Sequence, residues 1–173
     1  MIIYNYGLFW NVEDIFWGKP SDEGMLLGVP SKARSEKPVD FRYQSGIYAL
    51  YADYNLIYIG QTGRGNQKLF TRLRSHRRHA LAGRWNRFSW FGTRRVLGNG
   101  NLAAEKIKSP STHEEALNHM EAILISVGEP PLNRQGGAWG KDVVQYRQRR
   151  DERLGPSLQK MIEELWKFQR KVE

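Results

Sequence analysis

The chain has 173 residues, 40% hydrophobic and 26% charged, with no cysteine and a formal net charge of +9. That is enough for one sizeable core and too little for two full domains; it excludes a disordered chain, a disulfide framework, a thiolate zinc site and a cysteine nucleophile. No apolar run approaches the roughly 20 residues that cross a bilayer and no charged-then-apolar leader opens the chain, so membrane spanning and classical secretion are excluded and a cytoplasmic location is expected.

Residues 1–45 read as an aromatic-rich extension. Tyr4, Tyr6, Leu8, Trp10 and Val12 recur at period two and apolar runs follow at 15–17 and 25–29, which predicts two or three short strands. The polar segment 31–40, flanked by Pro30 and containing Pro38, reads as a connection. Two aromatic and β-branched runs, 46–52 and 56–61, are separated by Asp53-Tyr54-Asn55 and predict a β-hairpin. After Gly63-Arg64-Gly65-Asn66, the residues Leu69, Phe70, Leu73, Ala80 and Leu81 recur at helical spacing and Gly83 stops the run, so a helix is expected over 67–82. Residues 87–97 carry Phe88, Trp90 and Val96 and read as a third strand bounded by Gly98-Asn99-Gly100. Thr112 stands three residues before Glu115, a capping box, and Gly128 with Pro130-Pro131 marks a stop, so a second helix is expected over 113–127. Residues 141–153 read as a polar helix. A last, amphipathic helix over 156–172 aligns Leu158, Met161, Ile162, Leu165 and Val172, with Trp166 and Phe168 beside them.

The positive charge is local. Between Tyr54 and Ala104 there is no Asp or Glu, while Arg64, Lys68, Arg72, Arg74, Arg77, Arg78, Arg84, Arg87, Arg94 and Arg95 fall in those 51 residues; the remainder holds 17 basic and 18 acidic residues. A phosphate backbone rewards such a field through counterion release, and solvated faces usually mix signs, so nucleic acid is the expected partner.

Within this window Arg72, His76 and His79 stand at i, i+4 and i+7 and form one polar stripe on the first helix. On the second helix Glu121 follows Leu117 by four residues and precedes Leu124 by three, which is expected to place a carboxylate on the face that Leu117, Met120 and Leu124 turn to the core. Tyr48 and Tyr58 sit on the two strands of the hairpin, within reach of one cleft.

Gly46-Ile47-Tyr48, then nine intervening residues and Tyr58-Ile59-Gly60, resembles the signature of the GIY-YIG nuclease superfamily in all six letters. The resemblance continues through Gln61-Thr62, Arg72-x-x-x-His76, Glu121 and Asn133, and covers roughly residues 46–137. Two features depart from the family pattern: the spacing from Tyr58 to Arg72 is long, and Gln61 stands where some members carry a lysine. The resemblance implies an α/β (α+β) fold, a small three-stranded antiparallel sheet flanked by helices, here with a β-rich N-terminal extension over 1–45 and a helical C-terminal extension over 138–173. It implies a metal-dependent endonuclease hydrolysing phosphodiesters in double-stranded DNA. Glu121 would hold one Mg²⁺ or Mn²⁺, Arg72 would brace the phosphate, and Tyr48 or Tyr58 would activate water, with His76 and Asn133 in support. Arg64, Lys68, Arg74, Arg77, Arg78, Arg84, Arg87, Arg94 and Arg95 would meet the nucleic acid. His79 reads as a surface histidine. The rival reading is a non-catalytic or RNA-directed nucleic-acid-binding module of the same fold. A homodimer through the last helix, and packing of that helix onto the N-terminal strands, stand as equal alternatives for its apolar face.

Overall fold

The computed structural model describes residues 2–32, 37–62, 67–104, 112–133 and 135–172. Its strands are β1 (Asn5–Asn11), β2 (Gly18–Lys19), β3 (Asp22–Glu23), β4 (Leu27–Pro30), β5 (Val39–Asp40), β6 (Gly46–Ala52), β7 (Asn55–Gln61), β8 (Arg87–Gly92) and β9 (Val144–Gln148). Its α-helices are α1 (Leu69–His76), α2 (His113–Gly128) and α3 (Leu158–Val172).

The expected small three-stranded sheet is corrected. Seven strands form one mixed sheet in the order β5-β4-β9-β1-β8-β6-β7, and β2 and β3 make a separate two-stranded hairpin. The antiparallel trio β8-β6-β7 lies at one end, with Tyr48 opposite Trp90 and Leu50 opposite Phe88. The far side of β8 is covered by β1, antiparallel, with Trp10 opposite Phe88. A strand carrying Phe88, Trp90 and Phe91 has too much apolar surface to serve as an edge, and the N-terminal aromatic run supplies its second neighbour.

The predicted polar helix over 141–153 is also corrected. Its centre is β9, which pairs parallel with β1 through Asn5 and Val144 and antiparallel with β4 through Val29 and Arg147. The β-branched and aromatic residues Val144 and Tyr146 favour extended backbone. Tyr146 is buried against Phe41 at 4.7 Å, and its carbonyl accepts the Trp10 indole N–H at 3.2 Å.

The hairpin β6–β7 turns on Asp53 and Tyr54, with Asp53 at a φ of 55° and its carboxylate accepting from Asn86 Nδ2 at 2.7 Å. Alternation along β6 then feeds two cores. Tyr48 and Leu50 join Trp10, Phe88, Trp90, Phe41 and the α1 residues Leu69, Phe70 and Leu73 on one face. Ala49 and Tyr51 join Ile3, Phe91 and Val127 on the other, under α2. Burial of each of these large side chains contributes roughly 1.5–3 kcal/mol.

α1 is shorter than expected. Its inward residues end with Leu73 and His76; the next inward positions are Arg77 and Ala80, both exposed, and Leu81 meets the core from the turns that follow the helix. The third strand likewise ends at Gly92, and Val96 only bridges Leu102. The capping box of α2 is present, with Thr112 Oγ1 accepting from Glu115 N–H at 3.1 Å and Glu115 Oε2 accepting from Thr112 N–H at 3.3 Å. No helix among the described residues is long and apolar enough to cross a membrane.

Candidate active site

Tyr48, Tyr58, Arg72 and His76 converge on the α1 face of the sheet. Tyr48 lies fully buried on β6, directly opposite Gly60 of β7. An ideal Cβ on Gly60 would overlap the Tyr48 phenol oxygen, so only glycine leaves room for the hydroxyl across the ladder. Tyr58, two residues earlier on β7 and half-buried, stands diagonal to it, with ring centroids 6.2 Å apart. α1 lies over the two rings and delivers His76. The Tyr48 hydroxyl is 2.7 Å from His76 Nε2, and the Tyr58 and His76 ring centroids are 4.9 Å apart.

Arg72, one turn before His76, brings its guanidinium to both phenols. Gln67, which the sequence reading passed over, holds it by accepting from Arg72 Nη1 at 3.1 Å; its position just ahead of the first helical residues was the available signal. Arg72 Nε is buried with no hydrogen-bond partner among the described residues, an N–H donor left over inside the site.

The electrostatics fix the protonation states. Burial pushes the Tyr48 phenol up from its ordinary value, against the opposite pull of Arg72, so it is an O–H at neutral pH. Burial, then the charge of Arg72, then His79, push His76 down, so its imidazole is neutral and keeps one ring nitrogen as a proton acceptor, the tautomer setting whether Nε2 donates to or accepts from the Tyr48 hydroxyl. His79 is exposed.

Glu121 and Asn133 are not part of this cluster. α2 rests on the opposite face of the sheet through His119, Ala122 and Val127. The Nδ1 of His119 accepts from the backbone N–H groups of Ile2 and Ile3, at 3.3 and 3.2 Å. The expected inward face is therefore the outward one. Leu117, Met120 and Leu124 are 51–67% exposed and Glu121 is exposed among them. The reason is packing distance: Ala122 lies so close to Gly137 that a Cβ on that glycine would overlap it, Ile123 and Val127 join the core with Phe91 and Trp139, and the larger Leu117, Met120 and Leu124 face away. Glu121 and Asn133 do share a groove of about 560 Å³, lined also by Leu117, Met120 and Leu124.

This arrangement does not fit a Mg²⁺ or Mn²⁺ ion at the tyrosine cluster. The carboxylate that the resemblance assigns to the ion is on the other side of the sheet, and the cluster's own donors are phenols, an imidazole and a guanidinium, a poor set for a hard cation.

The basic residues divide. Arg74, Arg78 and Arg84 are exposed, Arg74 over the Phe70 ring at 5.5 Å. Arg77 lies over Trp17 at 4.6 Å, Arg87 over Tyr54 at 4.9 Å and Arg95 over Tyr4 at 5.8 Å. Lys68 Nζ reaches Ser45 Oγ at 3.4 Å. Arg94 is spent on the fold, donating to the carbonyls of Ala103, Tyr43 and Leu102. Arg64 lies outside the described residues. Trp17 stacks on Phe70 at 5.5 Å and carries the N-terminal arm onto α1.

Comparison with protein-family models, with curated proteins and with solved structures finds no match.

Proposed function

We propose that the chain is an endonuclease that hydrolyses phosphodiester bonds in DNA, of the type its Gly46-Ile47-Tyr48 and Tyr58-Ile59-Gly60 segments resemble. One observation carries the reading: the buried phenol of Tyr48, 2.7 Å from a neutral imidazole and beside a guanidinium with an unused N–H. Packing alone has no need for a cation, an imidazole and two phenols on one spot.

The scissile phosphate sits against Arg72, whose permanent charge and spare donor match the negative charge that grows on the oxygens in the transition state. The attacking water lies at the half-exposed edge formed by Tyr58 and His76. With His76 Nε2–H donating to the Tyr48 oxygen, the water's proton passes to the free Nδ1 of His76 as its oxygen bonds to phosphorus, and the leaving oxygen takes a proton from solvent. Tyr48, closed off from solvent, holds and polarises the imidazole. Exposed Arg74, Arg78 and Arg84 extend the same positive field outward and hold the strand.

The test is incubation of supercoiled plasmid, with and without Mg²⁺, with the wild type and with Tyr48→Phe, Arg72→Ala and His76→Ala, followed by mapping of the cut ends. Conversion to nicked or linear plasmid by the wild type, lost in Arg72→Ala, supports the reading. Tight binding with no cleavage under either condition overturns it in favour of a binding module.

A further inference from the structure

Two apolar surfaces of this chain have nothing packed on them among the described residues. Every described side chain of α3 is exposed, including Leu158, Met161, Ile162, Leu165 and Trp166 at 43–74%. A free helix of 15 residues with such a stripe is marginal in water unless it is covered. The outer face of α2 is the second surface, with Leu117, Met120 and Leu124 around the groove of about 560 Å³. The edge strand β7 adds Ile57 and Ile59, 40% and 53% exposed, on the same face of the sheet as α2.

The charges of the two helices are complementary. Residues 113–128 carry Glu114, Glu115 and Glu121 and no Lys or Arg, while 158–172 carry Lys160, Lys167, Arg170 and Lys171 against Glu163 and Glu164. An acidic helix with an apolar outer stripe and a basic helix with an apolar stripe fit one another.

They do not meet within one copy: every described side chain of α3 is exposed, and so are Leu117, Met120 and Leu124 of α2. The segment before α3 is pinned by Arg153, which donates to Asp22 Oδ1 at 2.6 Å, to Glu23 O at 2.9 Å and to the buried Asp151, and lies over the Phe16 ring at 4.1 Å. That places the root of α3 at the N-terminal arm, which packs on the α1 side. Only Gly155, Pro156 and Ser157 separate the pinned segment from α3, which holds the start of the helix on that side.

We propose that α3 of one copy docks on the outer face of α2 of a second copy, and reciprocally, so that the chain is a two-fold dimer joined by exchanged C-terminal helices. The contact is isologous as a whole and covers both unpartnered faces twice over. It goes beyond the assignment of an activity, and its failure would leave the cleavage assay untouched.

The experiment is sedimentation equilibrium of the full chain at micromolar concentrations, with Leu124→Asp on α2, Ile162→Asp on α3 and an equimolar mixture of the two. Both positions are exposed, so both variants keep the fold, which circular dichroism checks. The wild type is expected at the mass of a dimer and each variant at half that mass. The mixture is expected to recover dimer, because one pairing of a native α3 with a native α2 survives in the mixed species and none in either variant alone. A monomeric wild type overturns the proposal. So does a Leu124→Asp variant that remains dimeric while Ile162→Asp falls apart, the pattern of α3 pairing with its own copy, and so does a monomer whose α3 binds DNA instead.

Discussion

The Tyr48 phenol is fully buried, which divides the work in the proposed reaction: it shapes His76 and leaves Arg72 to meet the phosphate. Arg72→Ala is therefore expected to lose about a hundredfold or more in single-turnover cleavage, the usual cost of removing a donor aimed at transition-state charge, and His76→Ala distinctly less. Equal and small losses would leave α1 as a structural element. The lowered pKa of His76 sets a second expectation. The folded value lies below the ordinary one, so its neutral form contributes stability that is present above the unfolded value, about 6.5, and is lost as pH falls through the folded value. Burial lowers His119 in the same way. The melting temperature should fall on acidification below pH about 6.5, and less steeply in His76→Gln; identical slopes in the two proteins would show that His76 titrates alike in both states.

At the scale of elements, the start of β6 depends on one backbone conformation. Gly46 has a φ of 150°, and an ideal Cβ there would overlap the Phe91 carbonyl of the neighbouring strand. Gly46→Ala should cost about 3 kcal/mol in urea denaturation, with both ladders of β6 disturbed. The hairpin, its two glycines, the capped α2 and the convergence of Tyr48, Tyr58, Arg72 and His76 were legible in the sequence, because each rests on local spacing: a short turn, a ladder partner, one helical turn. Glu121 was not. α2 carries apolar residues on two faces, and periodicity names a stripe without saying which stripe the tertiary structure covers; small Ala122 won over larger Leu117 and Leu124 by letting the helix approach. β9 was missed for a related reason. The charges and amides around Val144 and Tyr146 resemble a polar helix, and only the distant partners β1 and β4 make the segment a strand.

For the whole molecule, the acid-free window becomes a surface whose residues have different jobs. DNA affinity should fall by orders of magnitude between low and physiological salt. Arg78→Ala and Arg84→Ala should each reduce the log–log salt slope by about one, read by fluorescence anisotropy at several salt concentrations. Arg94→Ala should instead lower thermal stability, since its guanidinium holds three backbone carbonyls. A slope unchanged by all of them would move the nucleic-acid surface elsewhere.

The position of β9 also dictates the order in which the molecule can assemble. β1 pairs with β8 and β9, and β4 with β5 and β9, so the short β4–β5 ladder joins the rest of the sheet through β9 alone. Residue 5 must wait for residue 144. While the chain is being synthesised, β1 can find β8, but its other edge stays open, with unpaired N–H and C=O groups beside exposed aromatics, until β9 emerges from the ribosome. Chains interrupted before 144 should therefore associate edge to edge, and binding of a chaperone that covers open strands would be timed to the release of the ninth strand.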